Sequence, residues 1–307
     1  MEQKTGKKAL KISLLLLLAA GLVISFLPYG AAASWHTIFS FFGLADFSAA
    51  ANSSPFSVHV IDVGKADSIF IECGGKTMLV DGGTVDRGEP VVEYLNRCGV
   101  KKLDYVVNTH PDDDHIGGLA EILRQYPVGR YLAPELPAAL IPKGEAYRNV
   151  QEELKKKKLS VTVPKQGESF LLGDAKVNIL APVKTGESTN NNSVVLRITF
   201  KNTSFLLMGD AQKEEESDLL QSGAELSADV LKVGHHGSST STTEAFLKAV
   251  KPKYAAISVA DDTGGLPKKD TLKRLETAGT KVYRTDISGT VIFLSDGSKI
   301  TAVTEKN

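Results

Sequence analysis

Five potential metal ligands fall within residues 110–115, where the sequence reads His-Pro-Asp-Asp-Asp-His. The apolar residues before this cluster (LDYVV, 103–107) predict a buried strand, and the residues after it (GGLAEILRQY, 117–126) predict a helix. The cluster is therefore expected in a strand-to-helix loop, where rigid neighbours fix the side chains that converge on a site. Histidine and aspartate together are typical ligands of divalent metal ions.

The same arrangement recurs twice later in the chain. Asp210 follows the apolar run FLLMG, and His235 and His236 follow VLKVG. Aspartates that cap the next helix would explain part of the first cluster. Capping does not explain the histidines or the repetition at three strand ends, so we predict that these residues share one metal site.

The composition limits the alternatives. The chain has 307 residues, of which 42% are hydrophobic and 23% charged, which is enough for one large globular domain. With 36 basic and 36 acidic residues the formal net charge is zero. No overall field attracts nucleic acid or a membrane, so a polyanionic substrate would have to be held locally.

The N-terminus predicts export. Four lysines precede the apolar residues 12–27, and the small residues of Ala-Ala-Ala-Ser follow at 31–34. We predict a signal peptide or membrane anchor at 1–33, a linker at 34–54 and, at 55–307, the domain that carries the predicted metal site. The uncharged run after the lysines could be removed as a signal peptide or could span the membrane as an anchor. In the first case the domain is secreted, and in the second it lies on the outer face of the membrane, so both place it outside the cytoplasm.

Two cysteines, Cys73 and Cys98, are expected at the end of a strand and of the following helix. In an oxidising compartment they either form a disulfide or remain small buried hydrophobic residues. From residue 56 onward, two strand-rich halves each carry helices. This order predicts an α+β fold, a four-layer αββα sandwich.

The cluster HPDDDHIGG resembles the H-x-[HD]-x-D-H signature of the metallo-β-lactamase superfamily. The stretches IDVGKADSIFIE, MLVDGG, NNNSVVLRITF, LLMGDAQ and LKVGHHGS resemble the extracellular hydrolase domain of the ComEC competence proteins. The resemblance covers about residues 56 to 305, and it implies the αββα fold with two divalent ions, Zn²⁺ or Mn²⁺, at one end of the sandwich.

The resemblance also implies roles for individual residues. A first ion would take His110 and Asp112, and a second ion would take Asp114, His115 and His235. Asp210 would bridge the two ions, and Asp114 and Asp210 would orient the attacking water. Positions expected to support ligands or contact substrate are Asp81, Asn192, His236 and Ser238.

Two departures from the family pattern weaken this expectation. Asn190–Ser193 stand where the superfamily often has a histidine, so the first ion is expected to bind weakly or to be Mn²⁺. Leu266 stands where a histidine is expected that would hold substrate or protonate a leaving group.

The sequence thus predicts an exported metal-dependent hydrolase that acts on phosphodiesters through a metal-activated water, with DNA and RNA as candidate substrates. The alternatives are a metal-binding module without turnover, and a hydrolase of carboxyl or lactam bonds. No protein partner is predicted.

Overall fold

The computed structural model describes residues 54–261 and 265–306, which form two β-sheets flanked by helices. Strands β1 to β6 are Phe56–Val60, Ile69–Cys73, Lys76–Val80, Leu103–Val107, Val128–Leu132 and Val161–Thr162. Strands β7 to β11 are Ser169–Leu172, Ala175–Ala181, Val195–Phe200, Thr203–Leu207 and Val230–Lys232. Strands β12 to β15 are Tyr254–Ile257, Lys281–Arg284, Val291–Ser295 and Ile300–Thr304.

The first sheet has the order β15-β14-β1-β2-β3-β4-β5-β6, and the second has β13-β12-β11-β10-β9-β8-β7. Helices α1 to α4 are Gly88–Arg97, Asp113–Ile116, Leu119–Gln125 and Glu145–Lys157. Helices α5 to α8 are Lys213–Gln221, Glu244–Val250, Lys269–Thr277 and Thr285–Ser288.

Alternating side chains divide the core into three apolar layers. On β2, Ile69 and Ile71 point into the space between the sheets, whereas Phe70 packs toward the helices. On β10, Phe205 faces the other sheet and Leu206 packs under the outer helices of the second half. Three apolar layers separate four layers of secondary structure, which confirms the predicted αββα sandwich.

Four neighbouring strands of each sheet are parallel, and this determines where a site can form. Strands β3 to β6 are parallel to one another, as are β10 to β13. Loops that leave the carboxyl ends of parallel strands emerge at one edge of a sheet. Asp81 follows β3, His110 follows β4, Asp210 follows β10 and His235 follows β11.

The two cysteines do not form a disulfide. Cys73 lies among the apolar residues between the sheets, and Cys98 lies in the layer between the first sheet and its helices. The disulfide alternative is therefore wrong, because β2 and its sheet stand between the two thiols.

The predicted signal or anchor at 1–33 lies outside the described residues, as does nearly all of the predicted linker at 34–54. Among residues 54–261 and 265–306, no helix is long and apolar enough to cross a membrane.

Candidate metal centre

The loop after β4 is held by close backbone contacts. Helix α2 already begins at Asp113, and Asp112 makes no capping hydrogen bond, contrary to the expectation that an aspartate caps a helix near Gly117. A Cβ at Gly118 would lie 2.1 Å from the carbonyl oxygen of Gly82. Because Gly82-Gly83 and Gly117-Gly118 have no side chains, the loops after β3 and β4 pack directly together.

Asp81 organises this loop from beneath. Its Oδ1 accepts hydrogen bonds from the Thr109 amide at 2.8 Å and from Asn108 at 3.2 Å. Its Oδ2 accepts one from Thr109 Oγ1 at 2.6 Å and lies 2.8 Å from His115 Nδ1. A proton on Nδ1, donated to Asp81, would leave His115 Nε2 free to act as a ligand, which is what the supporting role predicted for Asp81 requires.

Asp210 stands between two groups of histidines. Its Oδ1 lies 3.3 Å from His115 Nε2 and 3.7 Å from His236 Nε2. Its Oδ2 lies 3.9 Å from His110 Nε2 and 3.8 Å from His235 Nε2. Each carboxylate oxygen therefore faces its own pair of imidazole nitrogens.

The structure places His236, rather than His235, beside Asp114. The distance from His236 Nε2 to Asp114 Oδ2 is 3.6 Å, and His236 Nδ1 donates to the Ser258 carbonyl at 2.9 Å. Both histidines have positive φ angles, 49° and 51°. This strained backbone points the two side chains to opposite sides of Asp210.

Asp112 lies on the other side, 3.7 Å from His110 Nε2. The structure therefore gathers all six residues predicted as ligands and adds His236 to them. The ligand atoms of Asp114, His115 and His236 lie within 4.8 Å of one another, as do those of His110, His115 and Asp210.

Unsatisfied polar atoms show that the site fits metal ions. Among the buried atoms that have no hydrogen-bond partner within the described part of the chain, four belong to the residues around Asp210: Nε2 of His110, His115 and His236, and Oδ1 of Asp210 itself. Buried polar atoms are rarely left without a partner. Their convergence on one point is the arrangement expected of a ligand set for a divalent ion.

The carboxylates and imidazoles also shift one another's pKa. Burial opposes the charge on Asp210, but His115, His236 and His110 outweigh it and hold its pKa well below the usual range. Burial likewise opposes charge on His115, but the carboxylates of Asp210 and Asp81 raise its pKa well above the ordinary value. The site is preorganised for carboxylate ligands in the charged form.

Other predicted positions have different surroundings. Asn192 donates to the carbonyls of Gly186 and Ser188 and accepts from the Gly186 amide, so its side chain closes a loop. Ser238 reaches His235 through Thr240, whose Oγ1 lies 3.1 Å from His235 Nδ1. The Asn192 amide is therefore engaged within this loop, and its contact with substrate or with a ligand residue stays a prediction.

Leu266 packs against the apolar layer under the second sheet. At Asn190–Ser193, the residue that contacts a ligand is Ser193. Its hydroxyl lies 3.4 Å from His110 Nδ1 and accepts a hydrogen bond from the Asp210 amide.

Sequence reasoning missed Lys65, Asp67 and Lys232. Lys65 Nζ lies 2.9 Å from Asp114 Oδ2, with a side chain 40% exposed. Asp67 and Lys232 form a buried ion pair at 2.9 Å behind His236. One sequence signal indicates these residues: they are charged side chains in the stretches GKADS and VLKVG, whose other residues are small or apolar.

Comparison with known proteins agrees with this geometry. The family model of the metallo-beta-lactamase superfamily matches residues 61–260. ComE operon protein 3 of Bacillus subtilis is 32% identical over 259 residues, which are 78% of this chain and 33% of that protein. Competence protein ComA of Neisseria gonorrhoeae is 32% identical, over 77% of this chain and 32% of its own length. The chain thus spans about a third of these relatives.

Solved structures share the fold at low identity. CmlA, a diiron beta-hydroxylase from Streptomyces venezuelae, superposes with a TM-score of 0.53 and 15% identity, covering 79% of this chain and 54% of CmlA. Igni18, a metallo hydrolase from Ignicoccus hospitalis, superposes with a TM-score of 0.52 and 16% identity. The match covers 78% of this chain and 99% of Igni18. One fold thus carries different metal chemistries. On the family match and the metal-ligand geometry, this chain belongs to the metallo-beta-lactamase superfamily.

Proposed function

We propose that this protein is a two-metal hydrolase of phosphodiesters. One observation carries the proposal: the two carboxylate oxygens of Asp210 face separate pairs of histidines. A carboxylate placed in this way suits a bridge between two ions, and paired ions are a recurring solution for phosphoryl transfer.

We assign the ligands by the oxygen of Asp210 that each residue faces. One ion would be held by Asp114, His115, His236 and Asp210 Oδ1. The other would be held by His110, Asp112, His235 and Asp210 Oδ2. In this assignment His235 supplies the imidazole that Asn190–Ser193 does not, so the first ion has as many protein ligands as the second.

Bound ions would supply Lewis-acid chemistry that stabilises charge on the phosphoryl oxygens. The chain's own residues provide the rest. Asp114 is 20% and Asp112 39% exposed, so these carboxylates can accept hydrogen bonds from an attacking water. Asp210, at 4%, is suited to bridging rather than to orienting water. Lys65 is placed to bind a non-bridging phosphate oxygen.

Lys65 also suits an anionic substrate such as a phosphodiester, because a cation beside the ions attracts negative charge. The similarity to a protein named for competence, ComA, supports a nucleic acid as the natural diester.

The direct test measures metal content and hydrolysis together on the full-length protein. We expect close to two ions per chain, and hydrolysis of bis-p-nitrophenyl phosphate, DNA or RNA with Mn²⁺ or Zn²⁺. Hydrolysis of nitrocefin alone would favour the lactam alternative. A metal-loaded protein that leaves every diester intact would contradict the proposal and favour a module without turnover, the alternative motivated by Leu266.

A further inference from the structure

A cavity of about 310 Å³ lies beside the proposed metal centre. Asn108 and Pro111 line it and flank His110 in the sequence, so the cavity adjoins the metal-binding loop. Its other walls come from the ends of β5 and β6 and from helix α4. We call it the Tyr131 pocket, after the buried side chain on β5.

The walls of the Tyr131 pocket are largely apolar and partly open to solvent. Ile116 is buried, whereas Ile141 is 43% and Val161 41% exposed. Large aliphatic side chains held at the mouth of a concave pocket favour a ligand that removes them from water.

One polar group within the pocket lacks a partner. The Tyr131 side chain is 1% exposed, and among the described residues its hydroxyl has no hydrogen-bond partner. Tyrosine hydroxyls normally find a partner when buried. The neighbouring Gln151 amide also lines the pocket, so polar atoms accompany the apolar walls.

The charges indicate which part of a ligand fits. Among the described residues, no lysine, arginine or histidine lines the pocket, and Glu135 is the one acidic residue that does. A phosphate would find no cation among these lining residues, whereas Lys65 and the ligand set lie on the metal side. The pocket therefore suits a neutral group with apolar faces and polar edges.

We propose that the Tyr131 pocket binds a nucleobase attached to the scissile phosphodiester. Its apolar walls and the Tyr147 ring would contact the faces of the base, and the Tyr131 hydroxyl would hydrogen-bond its edge. The inference rests on the proposed function, because it assigns the pocket to the substrate of the same site. An alkyl chain would leave the hydroxyl unsatisfied, which disfavours a lipid.

Binding of nucleosides tests the pocket without any hydrolysis. Equilibrium dialysis of labelled adenosine and thymidine against the full-length protein in nanodiscs should show saturable binding. Tyr131→Phe should weaken it about threefold to tenfold through loss of one hydrogen bond. Leu136→Trp should abolish binding by filling the pocket. Tyr105 does not line the pocket and stacks on Phe170. Tyr105→Phe is therefore the matched control, and this variant should bind nucleosides normally.

Kinetics separate this inference from the proposed function. Both pocket variants should lose more kcat/KM on thymidine 5'-p-nitrophenyl phosphate than on methyl p-nitrophenyl phosphate. If the protein cleaves the methyl ester but binds neither nucleoside, or binds octyl chains instead, the pocket assignment is overturned and the hydrolase survives. If it binds nucleosides but cleaves neither ester, the proposed function fails.

Discussion

At the scale of single residues, the site depends on atoms that face one another across the two sheets. Asp210 is the central one, because the proposed ligands of both ions converge on its carboxylate. Its neighbours in the loop after β4 differ in role despite their proximity in sequence. Asp112 and Asp114 face the site, whereas Asp113 is exposed.

Asp210→Asn should remove tight binding of both ions and reduce hydrolysis by at least about a hundredfold, because a neutral amide is a poor bridge. Asp112→Ala should mainly weaken the ion near His110. Metal content after dialysis and kcat/KM are the readouts, and Asp113→Ala is the matched control. Retention of both ions and of activity in Asp210→Asn would contradict the bridging assignment.

Lys65→Met should tighten metal binding, because the Lys65 cation pairs with a carboxylate that an ion would use. The same change should lower kcat/KM on diesters about threefold to thirtyfold, since a half-exposed charge contributes modestly. Metal titration should show a lower Kd for the ion, and steady-state kinetics should show a lower kcat/KM. Lys76→Met, which loses a comparable ion pair with Asp104 away from the site, should change neither.

At the scale of elements, buried polar side chains tie helices and loops to the sheets. On α5, Glu215 is 1% exposed, and its Oε1 accepts the Val183 amide at 2.8 Å. Burial raises the pKa of Glu215 to about 7; Asp218 adds to the rise, while the Val183 amide and Lys184 oppose it. The folded protein therefore prefers the neutral acid more strongly than the unfolded chain does.

Because the folded-state pKa is raised, this stabilisation is complete below about pH 4.5 and is lost as pH rises through 7. The loss amounts to about 3 kcal/mol at most. Glu215→Gln should flatten this part of the stability profile between pH 5 and 8, measured by urea unfolding. The exposed Glu93→Gln should leave the profile as it is, and an unchanged slope in Glu215→Gln would refute the assignment.

The sheet also keeps the cysteines apart, since Cys73 and Cys98 occupy layers on opposite faces of it. We expect two thiols to react with Ellman's reagent in denaturant without reductant, and much more slowly in the folded protein. An intact mass about 2 Da lower, which indicates a disulfide, would contradict this.

At the scale of the whole molecule, the sandwich brings the ends of β3, β4, β10 and β11 to one edge. The N-terminal residues add the proposal that this domain works outside the cytoplasm. We expect protease added to protoplasts to cleave the domain, whereas a cytoplasmic marker protein should be protected. Recovery of soluble cytoplasmic protein that retains Met1 would reject export.

The sequence alone determined the strand ends that carry the site and the class of fold. Apolar runs that end in aspartate or histidine mark the strand ends, because a buried strand requires apolar residues and a metal site requires ligand side chains. The alternation of strands and helices likewise determined the αββα sandwich. Those signals are local, so they survive in a one-dimensional pattern.

Only the tertiary structure decided which atoms meet. His235 and His236 are adjacent and identical in type, and their left-handed backbone sends one to each side of Asp210. Lys65 lies 49 residues from Asp114, yet their side chains pair. The Tyr131 pocket needs β4, β5, β6 and α4 together. Directions and long-range contacts arise when the whole chain packs, which is why no local pattern contained them.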